Sequence, residues 1–339
     1  MKTNKNLKWL NISGSAWDVG AKLGEAGKED VWEFLLKSDL WKEVISHKNS
    51  KVMEQLHANT KEKFPLIYEE LQGLAFGLDL SFKDVFAWNC RGDVLADTND
   101  GCTTVQVPDI TNCLAHNEDG FPFFLKKCFI ADVSIPNNTS FISFCYPGSI
   151  PGHTFAVNEK GLVQTVNNLR LQDVEPELPR MVLGRAILNS ECLDTAIDLL
   201  KQNSNTGGFN FSLASSQDSR LVSVEFGGGD IGVEEIETTS LHANHAIYLP
   251  LSEKSQIITD SSNDRQKRFT DISKENKEFK PFEILRDTKG NALPIYRIDL
   301  DDPDNENTVA SAVFKINKNS VEYSFYESSS LIPCYNGVI

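Results

Sequence analysis

One change of texture divides the chain and restricts its fold more than any other feature. Up to about residue 100, apolar residues recur at three and four places: Trp17, Val19, Leu23 and Ala26, then Val31, Phe34 and Leu35, then Trp41, Val44, Ile45, Val52 and Leu56. That spacing puts them on one face of successive helices. Pro65 suits the first turn of a further helix, and Ser81 with Asp84 three places on resembles a capping box opening a helix through Val85, Phe86 and Trp88.

After Asp100 the period shortens to two and turn residues punctuate it. Thr103 to Val107, Phe129 to Ile135, Ser140 to Tyr146, Thr154 to Val157 and Leu162 to Val166 read as strands, the last two as a hairpin about Lys160-Gly161. Helical spacing returns after Pro179 through Met181, Leu183 and Ile187, and again from Leu193 to Leu200. Strand patterns resume at Phe209 to Ala214, Leu221 to Phe226 and Ile231 to Ile236. A polar helix is expected over 263–279, and Ala310 to Ile316 with Val321 to Tyr326 form a closing hairpin. Runs of strands that enclose helix pairs predict an α+β fold with layered sheets rather than a doubly wound parallel sheet.

Composition narrows the class. With 339 residues, 40% of them hydrophobic and 24% charged, the chain is ordinary globular protein, long enough for one large domain or two. A net charge of −15 argues against nucleic acid, because like charge repels a phosphate backbone. The seven cysteines are odd in number and none are spaced C-x-x-C, so neither a disulfide framework nor a thiolate zinc site is expected. Lys2, Lys5 and Lys8 are followed by Asn11 and Ser13 rather than an apolar signal region, and no run is long enough to span a membrane. A cytoplasmic protein with no metal and no membrane partner is the expectation.

At the change of texture the chain reads Asp97-Thr98-Asn99-Asp100-Gly101-Cys102-Thr103-Thr104. A buried structural thiol is the common fate of a free cysteine. The Gly101-Cys102 step allows another. A thiol can attack the carbonyl of its own preceding residue, and glycine there carries no side chain to obstruct the tetrahedral intermediate. Hydrolysis of the thioester would leave Cys102 as a new N-terminus. An α-amine titrates near 7.7 to 8.0, so one residue would supply both nucleophile and base.

These residues, with Ala115-His116-Asn117-Glu118-Asp119, Asn158-Glu159-Lys160-Gly161-Leu162 and His242-Ala243-Asn244-His245, resemble the autoproteolytic acyltransferases and hydrolases related to acyl-coenzyme A:6-aminopenicillanic acid acyltransferase, among the N-terminal nucleophile hydrolases. Order and spacing match over most of the chain. The resemblance implies a four-layer αββα sandwich, with self-cleavage between Gly101 and Cys102 into a helical small chain, 1–101, and a catalytic large chain, 102–339, that remain one intertwined fold. By residue share the pieces are roughly 11 and 27 kDa. It implies Cys102 as nucleophile, Asp119 as the carboxylate that holds its amine or thiol, and Asn244 as donor to the oxyanion. Asn117 is expected to support its strand, and His116, His245 and Asn168 to line or support the pocket. His116 stands where related bile-salt and penicillin V hydrolases look to carry arginine, which separates this chain from their substrates. A further arginine described in that family has no assigned match.

The function so implied is hydrolysis of an N-acyl or aminoacyl amide through an S-acyl-Cys102 intermediate, without a cofactor. Transfer from acyl-coenzyme A to an amine is the alternative, for which Lys126, Lys127, Arg180 or Arg185 could supply a basic pocket. An unprocessed, silent scaffold is a second alternative. Gly227, Gly229 and Gly232 satisfy a dinucleotide fingerprint, but strand-like residues follow where a helix should open, so a hairpin turn is expected. His242 and His245 are three apart, and a helical zinc pair needs four. Asp93, Asp97 and Asp100 are candidates for polarising the scissile peptide, and Asp299, Asp301, Asp302 and Asp304 are expected to form a solvated loop.

Overall fold

Two sheets, packed face to face and covered by helices, organise the computed structural model, which describes residues 6–97, 101–275, 280–290, 293–299 and 301–339. The N-terminal part holds β1 (Lys8–Ser13), α1 (Ala16–Glu33), α2 (Asp39–Ser46), α3 (Lys51–Lys63), α4 (Pro65–Leu78), α5 (Phe82–Trp88) and α6 (Arg91–Val94). Serines start four of these helices: Ser15 forms a reciprocal capping box with Asp18, while Ser38, Ser50 and Ser81 each accept a backbone N–H through the side chain. Pro65 occupies the first turn of α4. Helices α1 and α4 touch backbone to backbone: a Cβ added at Gly20 would lie 1.9 Å from the Glu70 carbonyl oxygen, and one at Gly73 2.0 Å from that of Trp17.

The rest is β2 (Cys102–Val107), β3 (Asn112–Gly120), β4 (Phe129–Ser134), β5 (Phe141–Cys145), β6 (Ala156–Asn158), β7 (Leu162–Asn168), α7 (Arg180–Ile187), α8 (Leu193–Gln202), β8 (Phe209–Ser215), β9 (Leu221–Gly227), β10 (Asp230–Glu235), β11 (Ser240–His242), α9 (Asp260–Glu275), α10 (Pro281–Leu285), β12 (Asn307–Asn317), β13 (Ser320–Glu327) and β14 (Tyr335–Val338). One sheet runs β1-β4-β5-β6-β7-β8-β9-β10 and the other β11-β2-β3-β12-β13-β14. β2 packs on β7 and β3 on β8 across the interface. Helix α8 lies against β8, β9 and β10, while α9 and α10 cover β11, β2, β3 and β12. The order of layers is α, β, β, α.

Every residue of β7, β8 and β9 is buried, as strands covered on both faces must be. Val105 and Ala115 pack with Phe269, Ile272 and Leu285 under the outer helices, whereas Phe155, Phe314 and Phe325 fill the space between sheets. No helix of the described residues is long and apolar enough to cross a membrane.

The part before Gly101 is not helical throughout. β1 pairs parallel with β4, Lys8 opposite Phe129 and Ser13 opposite Ser134, and so supplies an edge strand to the larger sheet. The polar stretch expected over 263–279 begins at Asp260 as α9; residues 276–279 lie outside the described set. The triple-glycine segment is a hairpin turn, with Gly227 opposite Asp230 and positive φ at Gly227, Gly228 and Gly229. The acidic loop departs from its expectation. Asp302 is buried, and it and Asp304 pair with the guanidinium of Arg297, because a buried arginine must be met by charge.

Candidate active site

Cys102 opens β2, the strand between β11 and β3 in the smaller sheet, and only 4% of it is exposed. The Asp119 N–H donates to the Gly101 carbonyl oxygen at 2.9 Å. The Cys102 N–H donates to Asn244 Oδ1 at 3.0 Å, and Asn244 Nδ2 lies 3.2 Å from Cys102 Sγ and 3.2 Å from the Asn168 carbonyl oxygen. Asn244 lies two residues beyond the end of β11, and the pairing of His242 with Thr104 brings it to Cys102. Its own N–H donates to Ser262 Oγ on α9.

From α9 Arg265 reaches the same point. Its Nη1 donates to the Cys102 carbonyl oxygen at 2.5 Å and to Thr103 Oγ1 at 2.9 Å, and its Nη2 donates to Asn244 Oδ1 at 2.7 Å. Asn167 Nδ2 adds a 3.1 Å bond to the Cys102 carbonyl oxygen. Thus the backbone of Cys102 and both faces of the Asn244 amide are fixed in place.

Strand alternation sorts the rest. Asn117 and Asp119 face the outer helices. Asn117 Nδ2 donates to the carbonyl oxygens of Leu285 and Ile295, and its Oδ1 accepts from Ser311, which ties α10 to β3 and β12. Asp119 Oδ1 accepts from Thr308 at 2.6 Å, while its Oδ2 is buried with no hydrogen-bond partner among the described residues. His116 and Glu118 face the other sheet with Cys102 and Thr104. His245 is turned to α9 instead of Cys102; its Nδ1 meets Ser262 Oγ at 2.7 Å. Glu306 closes the Asp119 side, with Oε2 2.5 Å from where a Gly101 Cβ would stand, and Arg297 Nη1 donates to it at 2.7 Å.

Electrostatics oppose ionisation of the Cys102 thiol. Burial, and then the Glu118 carboxylate, push the Cys102 thiol well above its ordinary value, against hydrogen bonds from the Asn168 backbone and Asn244 and the charge of Arg265. Burial raises Asp119 and lifts Glu306 to about 7 although Arg297 and Arg170 oppose it. Burial drives His116 down to about 3 and His245 to about 4. A cavity of about 20 Å³ touches the thiol and is bordered by Arg91, Glu118, His153, Asn168 and Arg180.

Asp93 accepts the N–H groups of Arg180 and Gly207, a structural clasp. Asp97 borders a separate cavity of about 340 Å³ with Arg265 and Glu306, and Asp100 lies outside the described residues. Of the basic candidates, Lys127 pairs with Asp30 and Arg185 with Glu70. No cluster of metal-ligating side chains occurs among the described residues; His242 instead meets Glu225 at 2.7 Å. Arg265 and Glu306 were not found by sequence reasoning. The helix carrying Arg265 is mostly polar, with Arg265, Lys267, Arg268 and Lys274 along it, and no spacing singles out one of these cations.

Comparison with known proteins bears on this arrangement. Residues 107–329 match the family described as acyl-coenzyme A:6-aminopenicillanic acid acyl-transferase. The beta-alanyl-dopamine/carcinine hydrolase of Drosophila melanogaster is 21% identical over 353 aligned residues, covering 92% of this chain and 91% of that protein. Among solved structures, penicillin V acylase from Agrobacterium tumefaciens is 14% identical with a TM-score of 0.40, covering 70% of this chain and 85% of that one. A variant of conjugated bile acid hydrolase from Clostridium perfringens is 10% identical with a TM-score of 0.38, covering 70% and 92%. The chain therefore belongs to the acyl-coenzyme A:6-aminopenicillanic acid acyl-transferase family of enzymes.

Proposed function

We propose that the protein cuts itself between Gly101 and Cys102 and that the mature enzyme hydrolyses N-aminoacyl amines of the β-alanyl type through an S-acyl-Cys102 intermediate. The observation that carries this reading is the double contact of Asn244 with Cys102, one amide holding both the nitrogen and the sulfur. In the uncut chain, attack of Sγ on the Gly101 carbonyl would place the developing oxyanion on the Asp119 N–H. The C–N bond then breaks and frees the Cys102 amine, and water hydrolyses the thioester, leaving Gly101 as a carboxylate and restoring the Cys102 thiol.

The new α-ammonium would meet the unpartnered Asp119 Oδ2 and the Asn244 Oδ1 that already accepts from this nitrogen. Once neutral, that amine can take the thiol proton, which relieves the barrier that burial sets. Asn244 Nδ2 becomes a donor to the substrate oxyanion. The Drosophila relative, matched over nearly the whole chain, supports water as acceptor and a β-alanyl amide as substrate class. Engagement of Lys127 and Arg185 by carboxylates also weighs against a coenzyme A phosphate site at either.

Intact mass after denaturation tests the maturation. Two pieces divided at Gly101 are expected, and Cys102→Ala should remain whole. A single full-length species from the wild type sinks the proposal. Release of β-alanine from an N-β-alanyl amine, against N-acyl product formed from an acyl-coenzyme A and free amine, distinguishes hydrolysis from transfer.

A further inference from the structure

Before self-cleavage the Cys102 nitrogen is a peptide N–H and not an amine, so some other group must move the thiol proton. A ring of buried polar groups surrounds the residue. Asn167 Nδ2 donates to the carbonyl oxygens of Cys102 and His242, each at 3.1 Å, which fixes its Oδ1 as an acceptor. Thr104 gives its hydroxyl proton to that Oδ1 at 2.8 Å. A hydroxyl has one proton, so at its 2.9 Å contact with His116 Nδ1 the Thr104 oxygen can only accept. Nδ1 therefore carries a hydrogen.

His116 Nε2 faces Glu118 Oε2 at 3.0 Å. With the hydrogen on Nδ1, a neutral imidazole and an ionised carboxylate would oppose lone pair to lone pair in a buried site. One proton must lie between them. The Asp119-to-Gly101 bond also makes Cys102 and Glu118 a non-hydrogen-bonded pair across β2 and β3, the kind whose side chains approach most closely. Both border the cavity of about 20 Å³, room for a single water.

We propose that the His116–Glu118 pair is the proton relay of self-cleavage, an inference that rests on the maturation reading above. As the Sγ–C bond forms and the Gly101–Cys102 C–N bond breaks, the pair gives its shared proton to the departing Cys102 nitrogen. The Sγ proton refills it. One proton enters and one leaves, no co-reactant is consumed, and the pair ends as it began.

The test is the rate of self-cleavage, followed by intact mass in H₂O and D₂O. Glu118→Gln and His116→Gln should slow it about a hundredfold and change its solvent isotope effect, with Glu118→Asp restoring part of the rate. Slow but complete cutting shows that a variant is folded; for one that does not cut, circular dichroism decides. In uncut Cys102→Ala, nitrogen NMR of His116 should find Nδ1 protonated and a deshielded proton shared with Glu118. A wild-type chain that stays whole overturns the maturation reading. A wild-type chain that cuts while both folded glutamine variants keep pace with the same isotope effect overturns the relay alone, as does NMR placing the only ring hydrogen on Nε2.

Discussion

Asn244 holds Cys102 at two atoms, accepting from its nitrogen at 3.0 Å and reaching its sulfur with Nδ2 at 3.2 Å. A single planar amide thus sets the distance and orientation between the sulfur and the nitrogen of Cys102, the nucleophile and base of the proposed reaction. Arg265 locks the amide the correct way round by donating to Oδ1, so the Nδ2 group cannot exchange places with the oxygen.

Asn244→Ala removes the donor beside Sγ and the acceptor on the nitrogen together. Substrate turnover should fall about 10²- to 10³-fold, the usual cost of one oxyanion donor. Self-cleavage should slow as well. Rates of both, measured on the same preparation, check this; unchanged rates would remove Asn244 from the machinery.

Arg265 is buried, and its planar fork bonds two side chains and a carbonyl at once. An ammonium cannot reproduce that geometry. In the uncut Cys102→Ala background, Arg265→Met should lower unfolding free energy by about 3 kcal/mol by leaving buried acceptors unmet, and Arg265→Lys should recover only part. Urea unfolding midpoints at constant slope provide the measurement.

Glu306 gives a pH signature with a definite sign. Its folded value, about 7, lies above the ordinary 4.5, so its contribution is fully present below pH 4.5 and is lost as pH rises through 7. Glu306→Gln does not titrate. Between pH 4 and pH 8 the stability of the variant should therefore improve relative to wild type, by up to about 3 kcal/mol. Paired denaturation curves at the two pH values would refute this if the difference stayed constant.

At Gly20 a methyl group would fall on the Glu70 carbonyl oxygen, which is backbone and cannot swing aside. Gly20→Ala gains helix propensity but must push α1 from α4, and a net loss of about 2 kcal/mol is expected. Thermal unfolding should show a lower midpoint; a rise would mean the helices part at no cost.

Cys102 stood out as a candidate because it directly follows glycine where a helical period gives way to a strand period, and the family resemblance, not the spacing, made it the expected nucleophile. Asn244 was named from the resemblance of His242-Ala243-Asn244-His245 to the family, and its double contact depends on β11 pairing with β2. Arg265 and Glu306 were not legible. Each stands among like residues, and only the close approach of α9 and β12 to Gly101 makes one of them different. Asp302 was misread for the same reason, since four aspartates within six residues give no sign that a buried guanidinium waits for one of them. β1 escaped notice because Lys8 to Ser13 alternates weakly at an edge that a parallel partner, far away in sequence, covers.

That edge strand has a consequence for the life of the molecule. With β1 laid into the larger sheet and Glu70 of α4 clasped by Arg185 of α7, neither piece left by a cut at Gly101 owns a complete core. Refolding of the uncut chain is a first-order process, whereas reassembly of two separated pieces becomes second-order and depends on their concentration. Maturation would then carry a memory cost: the enzyme acquires its chemistry in the same step that removes its route back from the unfolded state.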